Sequence, residues 1–261
     1  MFSKSPAIVS SGLFLIAIII LLLDANTQLF LWINKIGIAF VDETWIFLTL
    51  FGNQMVALVL LSILFWRHLD LLRAVLIAVL ISFFITYGIK EFIGLERPYA
   101  LLDPASFHLI GEKLTNPAFP SGHTTTAFAI MGSIGFYFKD NALLLLMLFF
   151  ATLVGVSRIM LGVHWPIDVV VGAALGWVCA WLGVSLIEAH FLRDHDIWNY
   201  VTYTIYLLIA SYLFWKGTQY PVTYWMIKII SGLGILVLLG AFIWLFGGGR
   251  KEPIRVTGWL S

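Results

Sequence analysis

Eight apolar stretches dominate this chain of 261 residues. A straight helix needs roughly 20 apolar residues to cross the hydrocarbon core of a bilayer. The stretches lie near Ile8–Leu23, Thr44–Trp66, Leu71–Ile89, His123–Phe138, Ala142–Val156, Ile167–Ile187, Asn199–Trp215 and Tyr224–Phe246. In lipid, a spanning segment must satisfy its own backbone polar groups, so runs of this kind fold as helices. The pattern predicts an all-α polytopic membrane protein. The fourth and fifth stretches are short, but flanking polar motifs extend both helices. With 61% apolar and 11% charged residues, a soluble globular domain is excluded. The 11 Trp and 21 Phe suit aromatic belts at the membrane interfaces. A net charge of +1 provides no global field to recruit nucleic acid. Cys179 is the single cysteine, so no intrachain disulfide forms. Lys4 before the first stretch resembles a signal sequence. Without a small-x-small cleavage site before Asp24, the segment is expected to be a retained anchor.

Residues 1–198 are expected to form a six-span core carrying its polar motifs within 90–168. Residues 199–261 supply two additional C-terminal transmembrane helices and a short tail, with no chemical motif of their own. Between the first two stretches, Leu29, Ile33, Ile36 and Phe40 recur at helical spacing beside Trp32, interrupted by Asn34 and Lys35. That suits a helix in the interface, near a lipid access route, although an ordinary apolar connector fits the same residues. With the N-terminus inside, Lys4, Arg67, Arg73, Lys139, Arg193, Arg250, Lys251 and Arg255 fall on the cytoplasmic side. The positive-inside rule then faces the motifs outward, opposite that side.

Three short pieces carry the chemistry: Lys90 with Arg97-Pro98; Pro120-Ser121-Gly122-His123; and Ser157-Arg158 followed by His164 and Asp168. Alternating spans place the exit of the third and fifth beside the start of the fourth and sixth, so all three pieces meet on one face. Lys90, Arg97 and Arg158 suit a multiply charged anion, most simply phosphate. Ser121 and Gly122 lead into a helix whose exposed N–H groups and dipole can hold a phosphate oxygen. A simple helix start capped by serine explains the same residues. His164 and Asp168 are four apart at a helix start with Pro166 in its first turn. The carboxylate can reach the imidazole, fix its tautomer and leave the other nitrogen free to attack phosphorus. Arg97 and Arg158 could singly serve as headgroup anchors, but their arrival beside two histidines is not explained that way. A two-His-one-carboxylate metal site of His123, His164 and Asp168 is the rival, opposed by the three cations.

Other polar residues carry weaker expectations. Asn53 and Gln54 are expected to bond a neighbouring helix or to line a polar path. His108 is expected in solvent, in a long loop suited to specificity. His68, His190 and His195 belong to the opposite face, and Gly232, Gly234 and Gly240 suit helix packing.

Together the three pieces resemble the signature of the type 2 phosphatidic acid phosphatase superfamily. That family includes lipid phosphate phosphatases, bacterial undecaprenyl-diphosphate phosphatases and, more distantly, vanadium-dependent haloperoxidases. Lys, six residues, Arg-Pro is matched by Lys90 through Pro98; Pro-Ser-Gly-His by Pro120 through His123. Ser-Arg, five residues, His, three residues, Asp is matched by Ser157, Arg158, His164 and Asp168. The resemblance covers about Leu71–Ile187 and leaves the last two spans unexplained. It implies that His164 attacks phosphorus to form a phosphohistidine while Asp168 orients it. It further implies that His123 protonates the leaving group and then activates water. Lys90, Arg97, Ser121, Gly122 and Arg158 would hold the phosphate oxygens. No cofactor and no catalytic metal are implied.

The expected activity is hydrolysis of a phosphorylated membrane lipid, undecaprenyl diphosphate first, at the outer face of the plasma (inner) membrane, facing the periplasm or exterior. Phosphatidylglycerophosphate, phosphatidic acid and lipid A are alternative substrates, and phosphotransfer to another lipid would use the same residues. A transporter of phosphorylated lipids is the rival from another class. It would not require His164 paired with Asp168, and no paired repeats are evident. The expected partners are the lipid substrate and the bilayer, with no nucleic acid.

Overall fold

The structure is a computed structural model that describes residues 6–189 and 197–248. Lys4, His190, Arg193, His195, Arg250, Lys251 and Arg255, used above, lie outside the described residues. The described residues form helices joined by loops, with no strand among them. In chain order these are α1 (Pro6–Leu22), α2 (Asn26–Gly37), α3 (Asp42–Leu50), α4 (Gln54–Phe65) and α5 (Leu69–Ile93). They continue as α6 (Pro98–Leu101), α7 (Gly122–Phe138), α8 (Asn141–Met160), α9 (Pro166–Glu188), α10 (Ile197–Lys216) and α11 (Tyr224–Phe246). Five helices are long and apolar enough to cross a membrane, or seven when the bent pairs α1–α2 and α3–α4 each count as one span. The protein is thus an all-α integral membrane protein. The expected extension by flanking motifs holds for α8, which reaches 20 residues, but α7 stays at 17, shorter than a straight span.

Two stretches depart from the expected pattern. Thr44–Trp66 was expected as one span, but α3 and α4 meet at a 66° bend. The break falls at Phe51-Gly52-Asn53, where the Asn53 side chain accepts from the N–H groups of Met55 (3.1 Å) and Val56 (3.2 Å) and starts a new helix. Gly52 lies so close to His123 that an added Cβ would stand 2.8 Å from its carbonyl oxygen. Asn53 therefore caps its own helix rather than bonding a neighbouring one. The second differs only in length: α2 is the helix expected there, turned 107° from α1, but it ends at Gly37, before Phe40. Asn34, which interrupts the apolar pattern, is the residue that anchors it. Its amide donates to the carbonyls of Ile159 and Met160 (both 3.1 Å) at the end of α8, where helical carbonyls lack internal partners.

Helix α9 forms the centre, packing against α7, α5 and α1. Small residues make the approach possible. A Cβ added to Gly172 would stand 2.8 Å from the Ser121 carbonyl, and one added to Gly176 only 2.3 Å from that of Thr125. This contact sets the start of α7 beside the start of α9. At the far end of the same pair, Lys139 meets Glu188 at 2.9 Å.

The α10–α11 hairpin packs on α4 and shares an apolar cluster with α4 and α5, including Leu58, Leu72, Tyr203, Tyr206, Ile227 and Leu238. The phenol groups of Tyr203 and Tyr206 donate to the carbonyls of Trp66 (2.7 Å) and Leu72 (3.0 Å). Buried Arg73 donates to Asp70 (3.0 Å), Thr202 (3.2 Å) and Asn199, joining the start of α5 to the start of α10. Overpacking a close helix contact costs about 1–3 kcal/mol. Gly176→Val is accordingly expected to lower the thermal midpoint in detergent, whereas Gly240→Val, which meets nothing within 4 Å, is expected to leave it unchanged.

Candidate active site

The three motif pieces meet at one end of α5, α7, α8 and α9. Lys90 lies in the last turn of α5, and Arg97 directly precedes α6. Ser121 caps α7, Arg158 occupies the last turn of α8, and Asp168 the first turn of α9. Backbone bonds lock the pieces together. The Ser121 N–H donates to the Asp168 carbonyl (3.0 Å), and the Trp165 indole donates to the Glu96 carbonyl (2.9 Å).

His164 stands at the focus and is 2% exposed. Its Nδ1 lies 3.1 Å from Asp168 Oδ2, and Arg97 Nη1 lies 3.2 Å from its Nε2. A guanidinium can only donate, so Nε2 carries the lone pair and Nδ1 the proton. Asp168 Oδ2 also accepts from the Trp165 N–H at 2.9 Å, so one carboxylate starts α9 and orients the imidazole. His164 lies between α8 and α9. Burial, followed by the charges of Arg97, Arg158 and Lys90 and by His123, holds its pKa well below the ordinary 6.5. The neutral imidazole is therefore the resting form.

Three cations converge on this centre against the single carboxylate of Asp168. Lys90 is 9% exposed, Arg97 4% and Arg158 1%. Arg97 is braced most fully. Its Nε donates to the Asn116 carbonyl (2.8 Å), Nη2 to Asn116 Oδ1 (2.9 Å) and Nη1 to the Val163 carbonyl (2.7 Å). Lys90 donates to the carbonyls of Pro117 and Ala118. Arg158 donates to the Thr49 hydroxyl at 2.8 Å, while its Nε has no partner among the described residues. Carbonyls and hydroxyls satisfy hydrogen bonds without cancelling charge, so the site stays positive.

Ser121 is fully buried, and its hydroxyl oxygen accepts from Thr124 Oγ1 (2.9 Å) and the Thr124 N–H (3.4 Å). It is thus a helix cap whatever else it does. Gly122 is different. Among the described residues a Cβ there would meet only Thr86 Cγ2, at 3.8 Å, so none of them demands glycine. A ligand lying against that backbone would.

His123, Gly122 and Lys90 line a cavity of about 590 Å³. Asn53, Gln54 and Asn116 line it too, and no carboxylate is among its lining residues. Thr86 also faces it with a buried hydroxyl that has no partner among the described residues. Among those residues, no three His, Cys, Asp or Glu side chains are placed to hold a metal ion.

Sequence reasoning missed Asn116, Thr49 and Thr86. Asn116 and Thr86 carry no motif, and Thr49 meets Arg158 across 109 positions of chain. His108, expected in solvent, instead binds Asp42 (2.9 Å) through Nε2 and Asn34 through its backbone, tying its loop to α2 and α3.

Comparison with known proteins converges on one family. The profile of the PAP2 superfamily matches residues 71–192. An undecaprenyl-diphosphatase of Sulfolobus acidocaldarius is 30% identical over 171 residues, covering 62% of this chain and 78% of that one. The crystal structure of Aquifex aeolicus LpxE matches with a TM-score of 0.52 at 26% identity, over 61% of this chain and 94% of that one. A PAP2-type phosphatidylglycerolphosphate phosphatase of Bacillus subtilis shares the fold, with a TM-score of 0.52 at 20% identity, over 75% and 100% of the two chains. Because Gly122 is free of steric demand from the protein, Gly122→Ala is expected to keep the thermal midpoint yet bind orthophosphate several-fold more weakly. Calorimetry on the purified protein checks both.

Proposed function

The chain belongs to the PAP2 superfamily and is a lipid phosphate phosphatase of that type, and from that premise we propose that it hydrolyses undecaprenyl diphosphate through a phosphohistidine on His164. The observation that carries this reading is the His164 imidazole, fixed by Asp168 with its Nε2 lone pair presented among three cations. A metal-free attack on phosphorus needs that combination: an oriented neutral nucleophile and a positive frame for the equatorial oxygens.

In the first step, Nε2 bonds to the terminal phosphorus and the bond from phosphorus to the bridging oxygen breaks. The departing oxygen keeps the electron pair and takes a proton from His123, whose protonated form is favoured once the anionic diphosphate offsets the neighbouring cations. Lys90, Arg97, Arg158, Ser121 and the Gly122 N–H hold the transferring oxygens. This attack is preceded by Arg97 exchanging its bond to Nε2 for one to phosphate as substrate arrives, which releases the lone pair. In the second step His123 removes a proton from water, whose oxygen bonds to phosphorus as the phosphorus–Nε2 bond breaks and its electron pair returns to His164, freeing orthophosphate. Residues 1–198 serve as the six-span catalytic core, residues 199–261 as its two-helix extension, and the site faces the exterior of the plasma membrane.

Purified protein with EDTA present is expected to release phosphate from undecaprenyl diphosphate. His164→Ala is expected to lose about a thousand-fold or more in turnover. Undiminished release by that variant would remove the proposed nucleophile. The pH profile gives a second check. A depressed pKa keeps His164 neutral as pH falls through 6.5, so the acid limb of kcat/KM should lie below that value. A limb at or above 6.5 would contradict the assignment. For orientation, Ser106 and Asn141 are both exposed, and the native Cys179 is buried. In intact cells, an impermeant thiol reagent is expected to label a cysteine placed at Ser106 but not one placed at Asn141. The reverse pattern would invert the topology.

A further inference from the structure

The turn joining α10 to α11 lines the same cavity as Lys90, Gly122 and His123, while His164 lies behind that wall. Tyr212, Leu213, Lys216, Gly217, Thr218 and Gln219 form part of its wall, together with Lys90, Thr86 and His123. Helices α5 and α10 are tied at their other ends, through Arg73 with Asn199 and Thr202 and through Tyr206 with the Leu72 carbonyl. Near Lys90 and Lys216 the cavity opens between them. It reaches Ser82 and Phe83, about 10 Å along α5 from Lys90 at the helical rise per residue. The wall thus runs from the phosphate cage toward the apolar part of the bundle, the course that a lipid takes away from its headgroup.

The turn is anchored at the cage itself. Tyr220 is 7% exposed, packs with Met160, Leu161 and Val163, and lies beside the Arg158 guanidinium. A Cβ on Gly111 would stand 3.0 Å from the Tyr220 ring, so the turn is held from both sides. Lys216 lies 5.4 Å from the centroid of the Tyr212 ring and makes no carboxylate pair among the described residues. Among the described residues, two lysines and no carboxylate line the cavity, and the buried Thr86 hydroxyl has no partner. Such a lining suits a negatively charged group.

We propose that Lys216 holds the phosphate that departs with the lipid, which makes the α10–α11 turn the element favouring diphosphate over monophosphate headgroups. The inference rests on the phosphatase reading. As the bond between the terminal phosphorus and the bridging oxygen breaks, negative charge collects on the chain-linked phosphate. His123 supplies the proton, and the Lys216 ammonium offsets the remaining charge. A monophosphate lipid presents no group at that position.

The test compares farnesyl diphosphate with farnesyl phosphate, which share one chain. In Lys216→Met the ratio of their kcat/KM values is expected to fall about ten-fold, as for loss of one charge-assisted contact, while Lys216→Arg retains it. An unchanged ratio, or an equal loss for both substrates, would overturn the proposal. Binding separates this from failure of the catalytic reading. In a His164→Ala background, which prevents turnover, Lys216→Met should weaken inorganic pyrophosphate more than orthophosphate. Equal effects on the two anions would overturn the role of Lys216 whether or not any lipid is hydrolysed. Absence of phosphate release by the unsubstituted protein would count against the phosphatase reading alone.

Discussion

Burying Lys90, Arg97 and Arg158 in an apolar bundle is the constraint on which the rest of the site depends. Removing one charge from water without compensation costs several kcal/mol. The chain meets that cost with neutral acceptors: the carbonyls of Asn116, Pro117, Ala118 and Val163, the Asn116 amide and the Thr49 hydroxyl. Carboxylates would have cancelled the charge, and only Asp168 is present. The folded protein therefore keeps an excess of positive charge that a bound anion would offset. Ligand binding and the completion of the site become one event.

That choice propagates into the imidazole. Cations around His164 disfavour its protonation, while Asp168 fixes the proton that remains on Nδ1. The same carboxylate oxygen starts α9, and the backbone of the same residue receives the first N–H of the α7 cap. Orientation of the His164 imidazole is thus a by-product of helix initiation. The small residues of α9 hold that geometry in place, since Gly172 and Gly176 let α7 approach at backbone distance.

The meeting of Lys90, Arg97, His123, Arg158, His164 and Asp168 was legible because span alternation alone puts their helix ends on one side. Local signals were equally informative: Pro166 and Asp168 mark the start of α9, and Ser121 marks that of α7. What escaped were bonds between distant positions, such as Asn34 to Ile159 or Thr49 to Arg158, which leave no periodicity. The break within Thr44–Trp66 was hidden for a different reason. Hydropathy averages over a window, and Gly52-Asn53 interrupts it for only two residues. The α10–α11 hairpin carries no motif, so only packing could place its turn at the cavity.

The most direct measurement is peptide mapping of phosphohistidine after an alkaline quench during steady-state hydrolysis of a lipid diphosphate. The account predicts phosphate on the peptide bearing His164, at higher occupancy in His123→Ala, where activation of water is impaired. Phosphate on His123, or turnover with no phosphorylated histidine in either protein, would contradict it.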